Sequence, residues 1–219
     1  GAGERLLNLN TEIQAATAGW RAAAGKLAKT RTNAAKTLSK ATTALIAELG
    51  MGGGRFEIAI EPNDAERADP LGSERVEFLV SANAGQPPRA LRKVASGGEL
   101  SRISLAIEVA ALGLDAVPTM VFDEVDSGIG GAVSDIVGRK LRALGEKRQV
   151  LCVTHLPQVA AQGHAHYRVS KAPVDGMTQS AVESLDAGQR EEELARMLGG
   201  VDVSKEARAA AKRLLSDVS

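Results

Sequence analysis

Asp123 and Glu124 close an uncharged run, Val117-Pro118-Thr119-Met120-Val121-Phe122. Adjacent carboxylates at the end of an apolar strand can divide labour. Asp123 can hold magnesium, directly or through water, because that ion prefers hard oxygen ligands. Glu124 can orient and deprotonate a water that attacks a γ-phosphate. His155 follows a second apolar run, Gln149 to Thr154, and can donate a hydrogen bond to that phosphate or to the water. Upstream, Ser96-Gly97-Gly98 precedes a helical pattern. Its amides, with no Cβ in the way, and the Ser96 hydroxyl make an anion site at the positive end of a helix. Taken singly, each feature has a plainer reading: a solvated turn, a turn with an N-cap, a structural histidine. The uncharged strand before the carboxylates and Asp126-Ser127-Gly128 after them tilt the balance toward chemistry.

These side chains need elements to place them. Leu100, Ile103, Ile107, Ala110 and Leu114 form a helical stripe after the Ser-Gly-Gly turn. Val117–Phe122 has the pattern of a strand buried on both faces of a parallel sheet. Val133, Ile136, Val137, Lys140, Leu141 and Leu144 repeat at helical spacing, with Gly145 as a stop, and Gln149–Thr154 is a second buried strand. Strand, helix and strand make a βαβ unit, for which a right-handed crossover is the rule. Ligands of such sheets lie beyond the carboxyl ends of the strands. Asp123, Glu124 and His155 are therefore expected on one rim.

The first 49 residues are Ala-rich and hold no proline. Leu6, Leu9, Ile13, Ala16, Trp20, Ala23 and Leu27 step by three and four, as a coiled-coil seam does. A plain amphipathic helix lying on the domain is the alternative. Leu38, Leu45 and Leu49 fall out of phase with that seam. Gly50-Met51-Gly52-Gly53-Gly54 ends the helix. Arg55–Ile60 and Arg75–Val80 alternate as half-buried strands around a loop at Pro62–Gly72. Tyr167–Ser170 and Gln179–Leu185 predict a strand pair joined through Asp175-Gly176. Arg190–Leu198 and Ser204–Leu215 predict terminal helices, with Ser204 as an N-cap. The expected organisation is a coiled-coil helix over residues 1–50 and an α/β lobe over residues 51–219.

Composition narrows the class. The 219 residues are 44% hydrophobic and 25% charged, with zero formal net charge and only 2% aromatics. That balance is ordinary for a globular protein and carries no global signal for nucleic acid. The single cysteine, Cys152, excludes an intrachain disulfide and fits a reducing compartment. No apolar run approaches a membrane span, so the expectation is a cytoplasmic protein without a membrane partner.

Several runs together carry a family resemblance. Val94-Ala95-Ser96-Gly97-Gly98-Glu99-Leu100-Ser101-Arg102 resembles the signature motif of ABC-type ATPases in the variant used by SMC-like proteins. Val117–Glu124 resembles Walker B, the segment from Glu124 to Gly131 the D-loop, and Val153-Thr154-His155 the switch-histidine motif. The combination is similar to the bacterial DNA-repair members of that family in particular, and it covers essentially the whole chain. The resemblance implies an α/β fold: the C-terminal lobe of an ABC/SMC-type P-loop ATPase head, a parallel sheet with flanking helices, preceded by a long coiled-coil helix. It implies ATP and Mg2+ as cofactors. Asp123 would be the magnesium carboxylate, Glu124 the catalytic base and His155 the γ-phosphate sensor. Ser96, Gly97 and Gly98, with Glu99 beside them, would meet an ATP held by a second head. Asp126 would couple the two sites across that interface. Implied partners are the N-terminal Walker A lobe of the same protein, a second copy of the head, and the single- or double-stranded ends of broken DNA in recombinational repair, at the bacterial nucleoid.

One motif of the family is missing. A Walker A loop, G-x-x-x-x-G-K-[ST], occurs nowhere in the 219 residues; nor is a Q-loop identifiable. The chain is therefore expected to be the C-terminal half of a head, binding ATP poorly and not hydrolysing it by itself. The first 49 residues carry seven basic side chains against three acidic ones. That surplus could follow a phosphate backbone, and a solvated coiled-coil face accounts for it equally well. Two other functions compete. A transporter nucleotide-binding domain is opposed by the heptad segment and the D-loop sequence. A non-catalytic coiled-coil scaffold is opposed by the presence of both Asp123 and Glu124.

Overall fold

The computed structural model describes residues 1–63, 68–114, 117–200 and 202–218. They divide into two compact units, residues 1–44 with 53–94 and residues 45–52 with 95–219.

In the first unit, most of helix α1 (Ala2–Glu48) precedes a three-stranded antiparallel sheet in the order β1-β2-β3, formed by Arg55–Pro62, Glu74–Ser81 and Arg89–Ala90. Phe56 pairs with Val80 and Ile58 with Phe78. The Phe56 and Phe78 rings meet edge to face at 5.3 Å. Thr43 on α1 accepts from the Phe56 amide at 3.0 Å and donates to its carbonyl at 3.2 Å. Trp20 donates its indole N–H to the Asp69 carbonyl at 2.8 Å. Leu6, Leu9 and Ile13, from the expected seam, are each more than half exposed.

The second unit begins with the end of α1. There the Met51 amide donates to the Ile46 carbonyl and the Gly50 amide to that of Ala47, with Gly50 at φ 87°. This is a Schellman termination, and Gly50 supplies the left-handed residue that it needs. Helix α2 (Gly97–Ala110), strand β4 (Thr119–Phe122), helix α3 (Ala132–Gly145) and strand β5 (Gln149–Cys152) follow. The two strands are parallel, with Thr119 opposite Gln149 and Phe122 opposite Cys152. Ile103, Leu105 and Ala106 of α2, Val137, Leu141 and Leu144 of α3, Phe122 and Val125 form the core.

The expectation that both strands are buried on both faces does not hold. Phe122 is buried, but Val121 is 66% exposed, and Leu151 and Val153 are 46% and 61% exposed. Among the described residues, helices cover one face of this sheet and the other stands open.

A short helix that the sequence pattern did not predict, α4 (Pro157–Ala161), follows β5. Strands β6 (Tyr167–Val174) and β7 (Met177–Ser184) form a hairpin through Asp175 and Gly176, both at positive φ. That geometry suits a two-residue turn of the primed type. Helices α5 (Ala187–Gly199) and α6 (Lys205–Ser216) close the unit. Leu194, Ala195 and Ala211 form a second small core with Ala161. No helix among the described residues is long and apolar enough to cross a membrane.

Candidate active site at the strand ends

Strands β4 and β5 end level with each other, and the Val153 amide still donates to the Phe122 carbonyl at 2.9 Å. The segments carrying Asp123-Glu124 and Thr154-His155 therefore leave the sheet side by side, on the rim where parallel sheets bind ligands.

The first segment turns at once. Asp123 Oδ1 accepts the Glu124 amide at 2.8 Å, and the Ser127 amide donates to the Glu124 carbonyl at 2.9 Å. Glu124 itself sits at φ 58°, in the left-handed region that a residue with a side chain enters at a cost of about 1–2 kcal/mol. This turn sends the Glu124 carboxylate to Gly97, where it occupies the space that a Cβ would need. Gly98 packs against the same segment, beside Ser127 and the Glu124 carbonyl.

Helix α2 holds this segment from below. Ser96 caps the helix by accepting the Glu99 amide at 3.3 Å, so the plainer reading of Ser-Gly-Gly as turn and N-cap is realised here. Ser101 donates to the Asp123 carbonyl at 2.7 Å. Arg102, only 6% exposed, donates one guanidinium nitrogen to the carbonyls of Val125 at 3.3 Å and Ser127 at 2.7 Å. Burial pulls the Arg102 pKa below its ordinary value, while Glu99 and then Asp126 oppose that shift.

Asp126 lies between those two carbonyls and is 2% exposed. Its Oδ2 accepts two donors from the segment after β5, the Thr154 hydroxyl and the His155 amide at 3.0 Å, and His155 Nδ1 lies 3.2 Å from the same oxygen. The His155 side chain is 73% exposed. A buried carboxylate taken up in this way braces its own rim. Ser101, Arg102 and Thr154 escaped the sequence reading, although each stands within or beside a motif that it picked out.

The described residues contain no cluster of three or more acidic, histidine or cysteine side chains that could cage a metal. Magnesium is commonly held by one or two carboxylates, with waters and substrate phosphates completing its shell. Asp123 fits such a role. A cavity of about 440 Å³ bounded by Arg139, Arg142, Gln158 and Leu214 lies elsewhere and includes none of the rim residues.

No protein-family model matches the chain. The DNA repair protein RecN of Xylella fastidiosa is 66% identical over 213 residues, which cover 97% of this chain and 38% of that protein. The chain is a RecN-type sequence. RecN of Vibrio cholerae is 46% identical over 212 residues, with the same coverage of 97% and 38%. The chain thus spans less than half the length of the curated RecN proteins it matches. Among solved structures, the SMC head domain with an extended coiled coil from Pyrococcus furiosus superposes with a TM-score of 0.57 at 19% identity, covering 89% of this chain and 46% of that one. The SMC head with coiled coil and joint from Pyrococcus yayanosii gives 0.54 at 22% identity, covering 88% and 36%. The RecN-type chain therefore has the fold of part of an SMC head.

Proposed function

We propose that this chain is the C-terminal part of an SMC-like ATPase of recombinational DNA repair, with residues 1–50 as the returning coiled-coil limb and residues 51–219 as the C-terminal lobe of the head. The observation that carries this reading is the level ending of β4 and β5, which brings Asp123, Glu124 and His155 to one rim. Asp123 is the residue that would hold the Mg2+ of a bound ATP. Bound there, the ion would supply neutralisation of charge on the phosphates. Glu124 orients the attacking water and takes its proton. His155 senses the γ-phosphate. Ser96, Gly97 and Gly98 contact the ATP of a second head, so that nucleotide joins two heads and hydrolysis releases them.

The open face at Val121, Leu151 and Val153 supports an N-terminal Walker A lobe as the covering partner, since parallel sheets are normally covered on both faces. The basic surplus of α1 supports contact with the phosphate backbone of DNA ends. The working site is then the bacterial cytoplasm, at the nucleoid.

The test supplies a Walker A lobe in trans and measures ATP hydrolysis with and without DNA. Turnover should require both parts and rise with DNA. Steady turnover by the 219-residue chain alone, or none after complementation, would overturn the assignment.

A further inference from the structure

The nucleotide-facing role of His155 leaves open what aims the ring. An exposed imidazole rotates freely and exchanges between two neutral tautomers unless a partner selects one. Here the partner is Asp126, and its own position is unusually constrained. Arg102 grips the carbonyls on either side of it, Val125 at 3.3 Å and Ser127 at 2.7 Å. Asp126 Oδ2 then takes the Thr154 hydroxyl and the His155 amide, and His155 Nδ1 stands 3.2 Å from it. Asp126 is 2% exposed and Arg102 6%, so neither contact competes strongly with water.

We propose that Arg102 and Asp126 are positioning residues that lock His155 with its proton on Nδ1 and leave Nε2 facing outward from the rim. An ionised carboxylate only accepts hydrogen bonds, so a hydrogen bond closing the 3.2 Å between Nδ1 and Oδ2 needs the proton on Nδ1. That holds whether the ring is neutral or charged. Nε2 lies on the far edge of the ring, on a side chain that is 73% exposed. In the neutral ring it accepts from water; in the charged ring it donates to a phosphate oxygen.

The arrangement also ties together two surfaces. Arg102 belongs to α2, the helix that opens with Ser96-Gly97-Gly98. A displacement of that helix would move both carbonyls, then Asp126, then the imidazole. The chain of contacts runs from the turn assigned to a partner head's nucleotide to the histidine assigned to this head's own. This inference rests on the functional reading of His155, but its primary test does not.

That test is the tautomer of His155 in the 219-residue chain labelled with nitrogen-15 histidine, read by two-bond nitrogen–proton correlations at alkaline pH, where imidazole is neutral. The chain has three histidines, and His155→Gln identifies the relevant signal. The wild-type chain should show the proton on Nδ1. Asp126→Ala should release the ring to the Nε2–H form that free histidine prefers. Asp126→Asn, which retains an oxygen acceptor, should keep part of the lock. Arg102→Met should give a mixture, with Arg102→Lys closer to wild type. A wild-type ring protonated on Nε2, or a tautomer indifferent to Asp126→Ala, overturns the proposal. Indifference to Arg102→Met removes Arg102 from it. The wild-type measurement needs no variant to fold, and circular dichroism establishes folding for the rest.

In the complemented ATPase, Asp126→Ala should lower kcat about 10²-fold, the lower end of a positioned acid–base contribution, with little change in KM. A tautomer that shifts without any loss of turnover leaves the positioning intact and sinks the nucleotide-facing role of His155.

Discussion

Gly97 has no side chain where the Glu124 carboxylate lies: a Cβ built on it would overlap Oε2. Gly98 meets harder neighbours, with a Cβ falling 2.9 Å from Ser127 Cβ and 3.1 Å from the Glu124 carbonyl oxygen. The two glycines should therefore fail differently when replaced. Gly97→Ala needs only the flexible carboxylate to move, so the lobe should fold normally and lose turnover once complemented. Gly98→Ala presses on backbone and should cost about 1–3 kcal/mol of stability. Thermal unfolding of both variants checks this, and equal losses of stability would contradict it.

Glu124 carries both the proposed chemistry and a backbone penalty. Glu124→Gly should relieve the left-handed strain and stabilise the lobe by roughly 1 kcal/mol while abolishing hydrolysis. Glu124→Gln keeps the strain and the shape, so it should match wild-type stability and, once complemented with a Walker A lobe, still pair heads in the presence of ATP without turning it over. Denaturant midpoints and a nucleotide-dependent dimerisation assay distinguish the two.

Cys152 pairs with Phe122 across the sheet. Burial, followed by the nearby Asp126 and Asp123 charges, pushes its thiol from 9.0 up to about 12. The neutral form is the one that the fold favours. Its stabilising contribution is thus fully present below pH 9 and lost as pH rises from 9 toward 12. Cys152→Ser should flatten the alkaline limb of a stability profile over that window. The native thiol should also alkylate slowly at pH 8, because thiolate is the reacting species.

The last two helices are secured by their first turns. Asp186 and Gln189 form a reciprocal capping box at α5, and Ser204 accepts the Ala207 amide at 3.1 Å at α6. Asp186→Ala and Ser204→Ala should each cost about 1 kcal/mol in urea unfolding. Neither residue belongs to the rim, so ATP turnover after complementation should not change.

Much of this architecture is legible in the sequence because it is written locally. The glycine run after Leu49 announces the end of α1, Asp175-Gly176 the hairpin turn, and Ser204 the start of α6. Strands β1 and β2 sit within a residue or two of the alternating runs that predicted them. Helix α4 was missed because five residues are too few to show a period. The two-residue β3 was missed for the same reason.

The open sheet face was illegible for a different reason. An uncharged run such as Thr119–Phe122 reads alike whether one face or both are covered. Asp123, Glu124 and His155 stood out because strand order alone sends them to one rim. The burial of Asp126 did not, because its partners Thr154 and His155 lie 28 and 29 residues further on. Only packing brings those donors to a carboxylate that the sequence shows in a polar turn.

The uncovered face of β4 and β5 has a consequence outside catalysis. Val121, Leu151 and Val153 form an apolar surface next to strands that have no further partner among the described residues. Such surfaces associate indiscriminately when concentrated. A lobe with sound helix caps and a sound core can still be lost to aggregates during synthesis. If the proposed N-terminal lobe covers that face, the yield of working protein depends on how soon it docks, a race with aggregation that the lobe's own stability does not decide.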